Sequence, residues 1–223
     1  VPADVRFGAG RVSEVPAALA TLGASRVLVV TGRTTSRADT VRSALTRAGI
    51  SSIAFGVATE PSIERVRAAV ALAAEAGCDA VLGFGGGSAL DVGKAVAVLT
   101  TSGADPLDHL EVIGDGRPIT RPGLPCIAVP TTAGTGSEVT RNSVLSGGGV
   151  KASLRSPLML PKVAVIDPDL LIGVPRPTIA ASGMDALSQL IEPLVSRRAN
   201  PFTDALARDG MRRSARSLSL AYQ

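Results

Sequence analysis

Residues 79–99 read DAVLGFGGGSALDVGKAVAVL, and this stretch decides the predicted fold. The apolar run from Ala80 to Phe84 predicts a strand that is buried on both faces, as in parallel sheets. Gly85 to Gly87 and Ser88 follow, and apolar residues then recur with a helical period at Leu90, Val92, Val96 and Leu99. Glycines between a strand and a helix N-terminus let backbone N–H groups approach a phosphate, which the helix dipole also attracts. The segment from Gly85 to Ser88 is therefore predicted to bind a diphosphate.

Other interpretations of this stretch stay open. Three glycines can form a tight strand–helix turn without any ligand, because short glycine motifs have many false positives. Ser88 stands where the Rossmann fingerprint and the Walker A loop each require glycine, so neither motif is matched. Asp91 and Lys94 lie three residues apart and share a helix face near the phosphate end, where they belong either to the site or to a solvated ion pair.

The composition excludes several classes of function. Aromatic residues make up 2% of the chain, so a stacking surface for single-stranded nucleic acid is not expected. The 23 basic residues are interspersed with 19 acidic ones, which argues against any nucleic-acid groove. The chain has no long apolar span and no signal pattern, so we expect a cytoplasmic protein without a membrane partner. Cys78 and Cys126 adjoin predicted buried strands and are expected to be reduced packing thiols.

Strand-like and helix-like segments alternate along the first three quarters of the chain. Helices are expected at 14–22, 37–48 and 61–76, and strands at 4–7, 26–31, 51–57, 125–130 and 162–167. This order predicts an α/β fold, a doubly wound and mostly parallel sheet of Rossmann-like type. The connection 102–125 is expected to be a surface loop, and its His109 is expected to be structural or exposed rather than a ligand.

A second polar, glycine-bearing loop follows the predicted strand 125–130. Its sequence TTAGTGSE supplies hydroxyl groups from Thr131, Thr132, Thr135 and Ser137. Ligands of open α/β sheets bind outside the carboxyl ends of the strands, so two such loops together favour a ligand site. The alternative is a network of hydroxyl turns that only holds the loop. Residues 139–154 are expected to form a hairpin that turns at 146–149, with Lys151 just after the turn.

The character of the sequence changes after Asp167-Pro168. Pro175, Pro177 and Gly183 indicate a linker, and the remainder is expected to be helical, with a kink at Pro193 and a last helix over 202–220. An apolar stripe is expected on one side of the first of these helices, at Met184, Leu187, Ile191 and Leu194. We therefore expect an α/β nucleotide-binding domain in residues 1–172 and the incomplete beginning of an all-α metal or substrate domain in 173–223. The chain is accordingly expected to be a fragment.

Four segments in this order and spacing resemble the iron-containing alcohol dehydrogenase family, which is related to maleylacetate reductases, glycerol dehydrogenase and dehydroquinate synthase. These segments are GGGSALDVGKA, PTTAGTGSEVTRN, PKVAVIDPDLL and SGMDALSQLIEPLVS. The resemblance implies an oxidoreductase that transfers a hydride between NAD(P) and an alcohol, aldehyde or ketone. It also implies a homodimer. No catalytic residue is assigned.

The resemblance also assigns cofactor contacts. Gly86, Gly87 and Ser88 are expected to hold the cofactor diphosphate, with Asp91 on the same helix. The nicotinamide and ribose side is expected to be lined by Thr131, Thr132 and Thr135, with Asn142 and Lys151 reaching the cofactor. Members that prefer NAD often have an acidic residue where Gly32 stands here, and Arg33 follows it. An arginine with no acidic residue beside it attracts the 2′-phosphate on the ribose of NADP instead of repelling it. The chain is therefore expected to accept NADP, and a preference for NADP is a hypothesis.

The metal site of the family is matched only in part. Asp185 stands at the position of the family's metal-binding aspartate, whereas Gln189 replaces the histidine four residues later. An amide is a poorer ligand than imidazole for Fe²⁺ or Zn²⁺, so metal binding by this chain is expected to be weak or absent. Three alternatives follow: a metal-independent reductase similar to maleylacetate reductase, a cyclising lyase similar to dehydroquinate synthase, and a non-catalytic nucleotide-binding fragment.

Overall fold

The computed structural model describes Pro2 and residues 4–223. Within these residues, eight strands and seven α-helices follow one another in this order: β1 (Asp4–Phe7), α1 (Val15–Thr21), β2 (Arg26–Thr31), α2 (Asp39–Arg47), β3 (Ser51–Gly56), α3 (Ile63–Glu75), β4 (Ala80–Gly85), α4 (Gly87–Ser102), α5 (Pro106–His109), β5 (Cys126–Pro130), β6 (Asn142–Gly147), β7 (Val150–Arg155), β8 (Val163–Ile166), α6 (Arg176–Val195) and α7 (Pro201–Tyr222). Short 3₁₀ helices lie at Arg11–Glu14, Thr35–Ala38, Ser137–Val139, Pro157–Met159 and Pro168–Leu171.

The chain divides into two compact units. The first comprises the chain up to Thr131 together with Ser137–Leu170, and the second comprises Thr132–Gly136 together with Leu171–Gln223. The division after Leu170 lies close to the expected boundary at residue 172. The inclusion of Thr132–Gly136 in the second unit was not expected from the sequence.

A six-stranded parallel sheet organises the first unit. Its order is β1-β8-β5-β4-β2-β3, and every neighbouring pair is parallel. The order reverses between β2 and β4, because β3 lies beyond β2 whereas β5 and β8 follow on the other side of β4. Ligands of doubly wound sheets bind at the carboxyl ends of the strands beside such a reversal. The doubly wound, Rossmann-like sheet expected from the sequence is thus confirmed.

Both faces of this sheet are covered, which explains the continuous apolar strands. In β2, Leu28 and Val30 belong to one buried cluster with residues of α3 and α4, whereas Val27 and Val29 belong to a second cluster with α1 and α2. Every residue of β4 and β5 is buried. Successive side chains of a strand point to opposite faces, so a strand covered on both faces carries apolar residues at every position. Both cysteines are buried and free, and burial raises the pKa of the Cys126 thiol to about 12.

Several boundaries differ from those expected from the sequence. Gly85 is the last residue of β4, and Gly87 and Ser88 already belong to α4, so the turn between them is a single residue, Gly86. The expected helices at 14–22 and 37–48 each begin with a 3₁₀ turn. The hairpin turn is tighter than 146–149, because Gly148 and Gly149 both have positive φ, which suits a two-residue turn. The expected loop 102–125 contains the short helix α5, which is capped by Asp105.

The second unit is built on the helix pair α6 and α7. The two helices are antiparallel, since Gly183 lies against Leu218 and Leu190 against Gly210. A Cβ atom at Gly183 would collide with the Leu218 side chain, so glycine lets the helices approach closely. Pro177 and Gly183 both lie inside α6, so the expectation that these two residues belong to a linker is wrong. The helix continues through Pro193 to Val195, and the kink expected at Pro193 stays a prediction.

None of the helices in the described part of the chain has the length and apolar character needed to cross a bilayer.

Candidate functional site

The N-terminus of α4 lies at the reversal point of the sheet. Gly86 is the N-cap residue and has extended backbone angles, and no side chain caps this end of the helix. The first amides of an α-helix have no partner within the helix, and they carry the positive end of its dipole. The residues predicted to bind a diphosphate, Gly86, Gly87 and Ser88, thus provide the N-cap and the first two helical positions.

Glycines let α4 begin very close to the sheet. A Cβ atom at Gly85 would lie 2.7 Å from the Cβ of Ala89 and 3.2 Å from the backbone nitrogen of Gly32. Cβ atoms essentially never come as close to another heavy atom as 2.7 Å. The carboxyl ends of β2 and β4 and the first turn of α4 therefore meet at a point where only glycine fits.

The polar segment after β5 begins beside this turn. The Thr131 amide donates to the Gly85 carbonyl at 2.9 Å, and Thr131 itself is buried. The segment returns to α4 at Ser137, whose hydroxyl donates to the Asp91 carboxylate at 2.5 Å. Thr131 and Ser137, which flank the stretch Thr132–Gly136, are therefore both held against β4 and α4. The structure assigns Thr132 and Thr135 to the second unit, where Gly134 packs against Ser182.

Asp91 and Lys94 form an ion pair in which Lys94 is buried and Asp91 is partly buried, which excludes the solvated pair considered from the sequence. The Lys94 side chain is 0% exposed, and its ammonium lies 3.3 Å from the Asp91 carboxylate. Burial lowers the pKa of Lys94, and the Asp91 charge opposes that effect. Asp91 accepts from the Ser137 hydroxyl and, at 2.9 Å, from the Val144 amide. Both Asp91 oxygens thus bind groups of the protein.

Two further titratable groups, Glu138 and Cys126, lie close enough to Lys94 for its charge to act on them. Burial raises the pKa of Glu138 above its usual value, and the nearby Lys94 charge acts in the opposite direction. The sequence placed Asp91 and Lys94 on one helix face, but it gave no indication that Lys94 is buried or that Glu138 lies close to it.

Gly32 and Arg33 follow β2 at the same edge of the sheet. Open space surrounds the Cβ position of Gly32. The exposed Arg33 guanidinium donates to the Ala58 carbonyl at 3.2 and 3.3 Å, just beyond the end of β3. A cation therefore lies beside the end of β2, where the sequence predicted one.

Asn142 and Lys151 lie on the hairpin β6–β7, in different surroundings. The Asn142 carbonyl accepts a hydrogen bond from Lys94. Lys151 is exposed and pairs with Glu60 at 2.7 Å. The neighbouring Ser146 bonds to the Pro61 carbonyl, so this part of the hairpin lies against the segment that follows β3. The expected contact of Lys151 with a cofactor stays a prediction.

The residues at the expected metal position lie on α6, in the second unit. The Gln189 side-chain amide donates to the Asp185 carboxylate at 3.0 Å, so the two share one helix face, as expected. The same amide lies 3.5 Å from the Gly134 carbonyl. Among the described residues, no group of three or more His, Cys, Asp or Glu side chains could hold a metal ion. As a ligand for Fe²⁺ or Zn²⁺, the Gln189 amide is poorer than the imidazole that the family has at this position.

These features define a class of protein: a doubly wound, Rossmann-like α/β domain with a glycine turn at its switch point, where sheets of this kind bind ligands. Comparison with known proteins identifies the family. The family model for iron-containing alcohol dehydrogenase matches residues 2–168, and the chain belongs to this family.

Relatives of known sequence and structure agree with this assignment. The chain is 39% identical over 218 residues to long-chain-alcohol dehydrogenase 1 of Geobacillus thermodenitrificans, covering 96% of this chain and 55% of that protein. The crystal structure of a 1,3-propanediol oxidoreductase superposes with a TM-score of 0.92 at 37% identity, covering 100% of this chain and 59% of the other. The structure of the sulfoacetaldehyde reductase of Bifidobacterium kashiwanohense, solved with NAD⁺, superposes with a TM-score of 0.91 at 32% identity. The match covers 99% of this chain and 59% of the reductase. The chain thus spans somewhat more than half the length of these relatives.

Proposed function

We propose that this chain binds a nicotinamide dinucleotide, with the cofactor diphosphate on the first turn of α4. The observation that carries the proposal is the junction at Gly85, where the Thr131 amide bonds to its carbonyl and where no Cβ atom fits. Uncapped amides of Gly86, Gly87 and Ser88 are suited to phosphate oxygens. In this proposal Thr131 and Asn142, with Thr132 and Thr135, contact the nicotinamide and ribose side. Asp91 holds the segment that carries Asn142, and Lys151 reaches the cofactor from the hairpin.

The proposed reaction is hydride transfer between C4 of the nicotinamide and the carbon of an alcohol, aldehyde or ketone. Its support is the family, together with relatives named as a long-chain-alcohol dehydrogenase, a 1,3-propanediol oxidoreductase and a sulfoacetaldehyde reductase with NAD⁺. This chain would contribute the binding and orientation of the cofactor. The homodimer and the cytoplasmic location are further parts of the proposal, and they rest on the family resemblance and on the sequence.

Cofactor titration followed by a turnover assay tests the proposed function. The 223-residue chain is titrated with NADH while the nicotinamide fluorescence is followed, and is then supplied with an alcohol and NAD⁺ or with an aldehyde and NADH. Saturable binding with turnover supports the dehydrogenase. Binding without turnover supports the nucleotide-binding fragment, and no binding at millimolar cofactor contradicts the proposal.

Arg33 is proposed to bind the 2′-phosphate of NADP through its guanidinium N–H groups. An Arg33→Ala variant is expected to weaken NADPH binding about tenfold, the equivalent of about 1.4 kcal/mol, because a charge-assisted contact is lost. The affinity for NADH is expected to change less than about twofold, since NADH has no 2′-phosphate. Calorimetric titration with both cofactors measures the difference.

Arg47→Ala provides the matched control for this experiment. Arg47 is an exposed arginine in the last turn of α2, and its removal changes the net charge equally. If both variants weaken NADPH binding to the same extent, the assignment of Arg33 is wrong.

A metal-independent reductase is the second candidate, and the Gln189–Asp185 hydrogen bond favours it. The Gln189 amide nitrogen donates to an oxygen of the Asp185 carboxylate, which is the atom that would otherwise be available to a metal ion. A Gln189→His variant is expected to bind Zn²⁺ at least about tenfold more tightly than the parent chain, because imidazole replaces an amide. Competition with a chromophoric chelator measures this affinity.

Ile191→His places a histidine on the same helix, away from the Asp185 side, and serves as the control. The structure leaves Ile191 partly exposed, so the substitution can be accommodated. Equal Zn²⁺ affinity of the two histidine variants would show that Asp185 is not a ligand. Tight Zn²⁺ binding by the unchanged chain would contradict the metal-independent candidate.

A further inference from the structure

Lys94 is a buried lysine whose ammonium binds three residues of a single segment of the chain. Its ammonium donates to the Ser137 carbonyl at 2.9 Å, to the Thr140 hydroxyl at 3.1 Å and to the Asn142 carbonyl. These partners lie at the beginning, middle and end of the stretch 137–142. A single cation therefore fixes the path of the chain from the end of the threonine-rich loop to the first residue of β6.

Asp91 supplies the compensating charge and binds the same region. It lies 3.3 Å from the Lys94 ammonium, and its oxygens accept from Ser137 and Val144. The Lys94–Asp91 pair on α4 thus makes five hydrogen bonds to four residues between 137 and 144, since both partners bind Ser137. Residues 137–144 lie along α4 because the side chains of Lys94 and Asp91 are on the same face of that helix.

The chemistry of the ammonium excludes a direct contact between Lys94 and a ligand. A lysine ammonium has three N–H donors, and three oxygen acceptors of the protein bind it here. The side chain is also fully buried. A buried ion pair is weak evidence for a contribution to stability, whereas the contacts of Lys94 and Asp91 all fix the conformation of residues 137–144.

We propose that Lys94 is a positioning residue for the nicotinamide half of the cofactor. By fixing the stretch 137–142, it sets the place of Asn142, which the proposed function puts beside the cofactor. The diphosphate half does not depend on Lys94, because its donors are the amides of Gly86, Gly87 and Ser88 at the start of α4. This inference rests on the proposed cofactor site.

Comparing the affinities for NADH and ADP distinguishes the nicotinamide half of the cofactor site from the diphosphate half. ADP contains the diphosphate but no nicotinamide, so it serves as the probe for the first turn of α4. For a Lys94→Met variant, we expect the dissociation constant of NADH to rise at least about tenfold and that of ADP to change less than about twofold. The blue shift and enhancement of NADH fluorescence on binding are expected to disappear. Lys162→Met, which removes an exposed lysine of the same unit, is expected to behave as the parent chain.

Each outcome of this experiment supports or overturns the proposal. Equal losses of affinity for NADH and ADP would show that Lys94 only stabilises the fold. Unchanged affinity for NADH would show that Lys94 does not position the nicotinamide half of the cofactor. Either result overturns the inference and leaves the cofactor site intact. If the parent chain binds ADP but not NADH, the proposed function fails along with this inference.

A milder variant covers the case in which Lys94→Met does not fold. Thr140→Val keeps the shape of the side chain and removes one of the three acceptors of Lys94. We expect it to weaken NADH binding by about threefold while ADP binding stays constant. A folded Thr140→Val variant that binds NADH and ADP as the parent chain does would overturn the proposal.

Discussion

A Gly85→Val variant is expected to lose measurable NADH binding and to unfold at a lower denaturant concentration than the parent chain. The added Cβ atom would stand 2.7 Å from that of Ala89, so the first turn of α4 must move away from the sheet. Overpacking of this kind costs about 1–3 kcal/mol of folding free energy. The movement also displaces the amides of Gly86, Gly87 and Ser88. Fluorescence titration with NADH and urea unfolding measure the two effects.

Ala71→Val is the control for this variant. Ala71 is an exposed residue of α3, so the substitution adds a branched side chain at the surface. We expect it to preserve NADH binding and to lower stability by less than about 1 kcal/mol, which covers the helix-propensity difference between alanine and valine. A folded Gly85→Val chain that binds NADH normally would contradict the role of the close approach at Gly85.

An Asp167→Ala variant is expected to lower the free energy of unfolding by about 3 kcal/mol, because three backbone N–H groups lose a charged acceptor at once. Asp167 is 2% exposed, and its carboxylate accepts from the amides of Gly10, Val12 and Asp169 at 2.9 to 3.1 Å. It thereby fastens the connection between β1 and α1 to the end of β8. Urea unfolding followed by circular dichroism gives the difference.

Two further variants define the origin of this effect. Asp169→Ala removes an exposed carboxylate from the same 3₁₀ helix and is expected to change stability by less than about 0.5 kcal/mol. Asp167→Asn keeps one acceptor oxygen and is expected to fall between the parent chain and Asp167→Ala. If Asp167→Ala and Asp169→Ala are equally stable, the hydrogen bonds of Asp167 do not hold this connection.

Strands that are buried on both faces could be located from the sequence alone. The expected strand 26–31 coincides with β2, and the apolar run from Ala80 to Phe84 lies within β4. Such strands are continuous apolar runs that end at glycine or polar residues, so both their type and their ends are visible. The parallel sheet follows from the alternation of these runs with helical segments.

Contacts that depend on tertiary packing could not be derived from the sequence. Gly183 and Pro177 resemble linker residues, yet Gly183 fits beside Leu218 and Pro177 occupies the first turn of α6, where proline is tolerated. The spacing of Asp91 and Lys94 placed them on one helix face, but the burial of Lys94 depends on the segment 137–142, which folds back on α4 from a distant part of the chain. The pairing of β1 with β8 joins residues at opposite ends of the first unit, and no local pattern indicates it.

We propose above that the first amides of α4 bind the diphosphate of a dinucleotide. Two-dimensional ¹⁵N NMR of the labelled chain during a titration with ADP observes these amides themselves. We expect the amide signals of Gly86, Gly87 and Ser88 to shift together and to saturate at one ADP concentration, with Thr131 among the affected neighbours. Unchanged signals of these three amides at millimolar ADP, or shifts confined to other parts of the chain, would show that the diphosphate does not bind there.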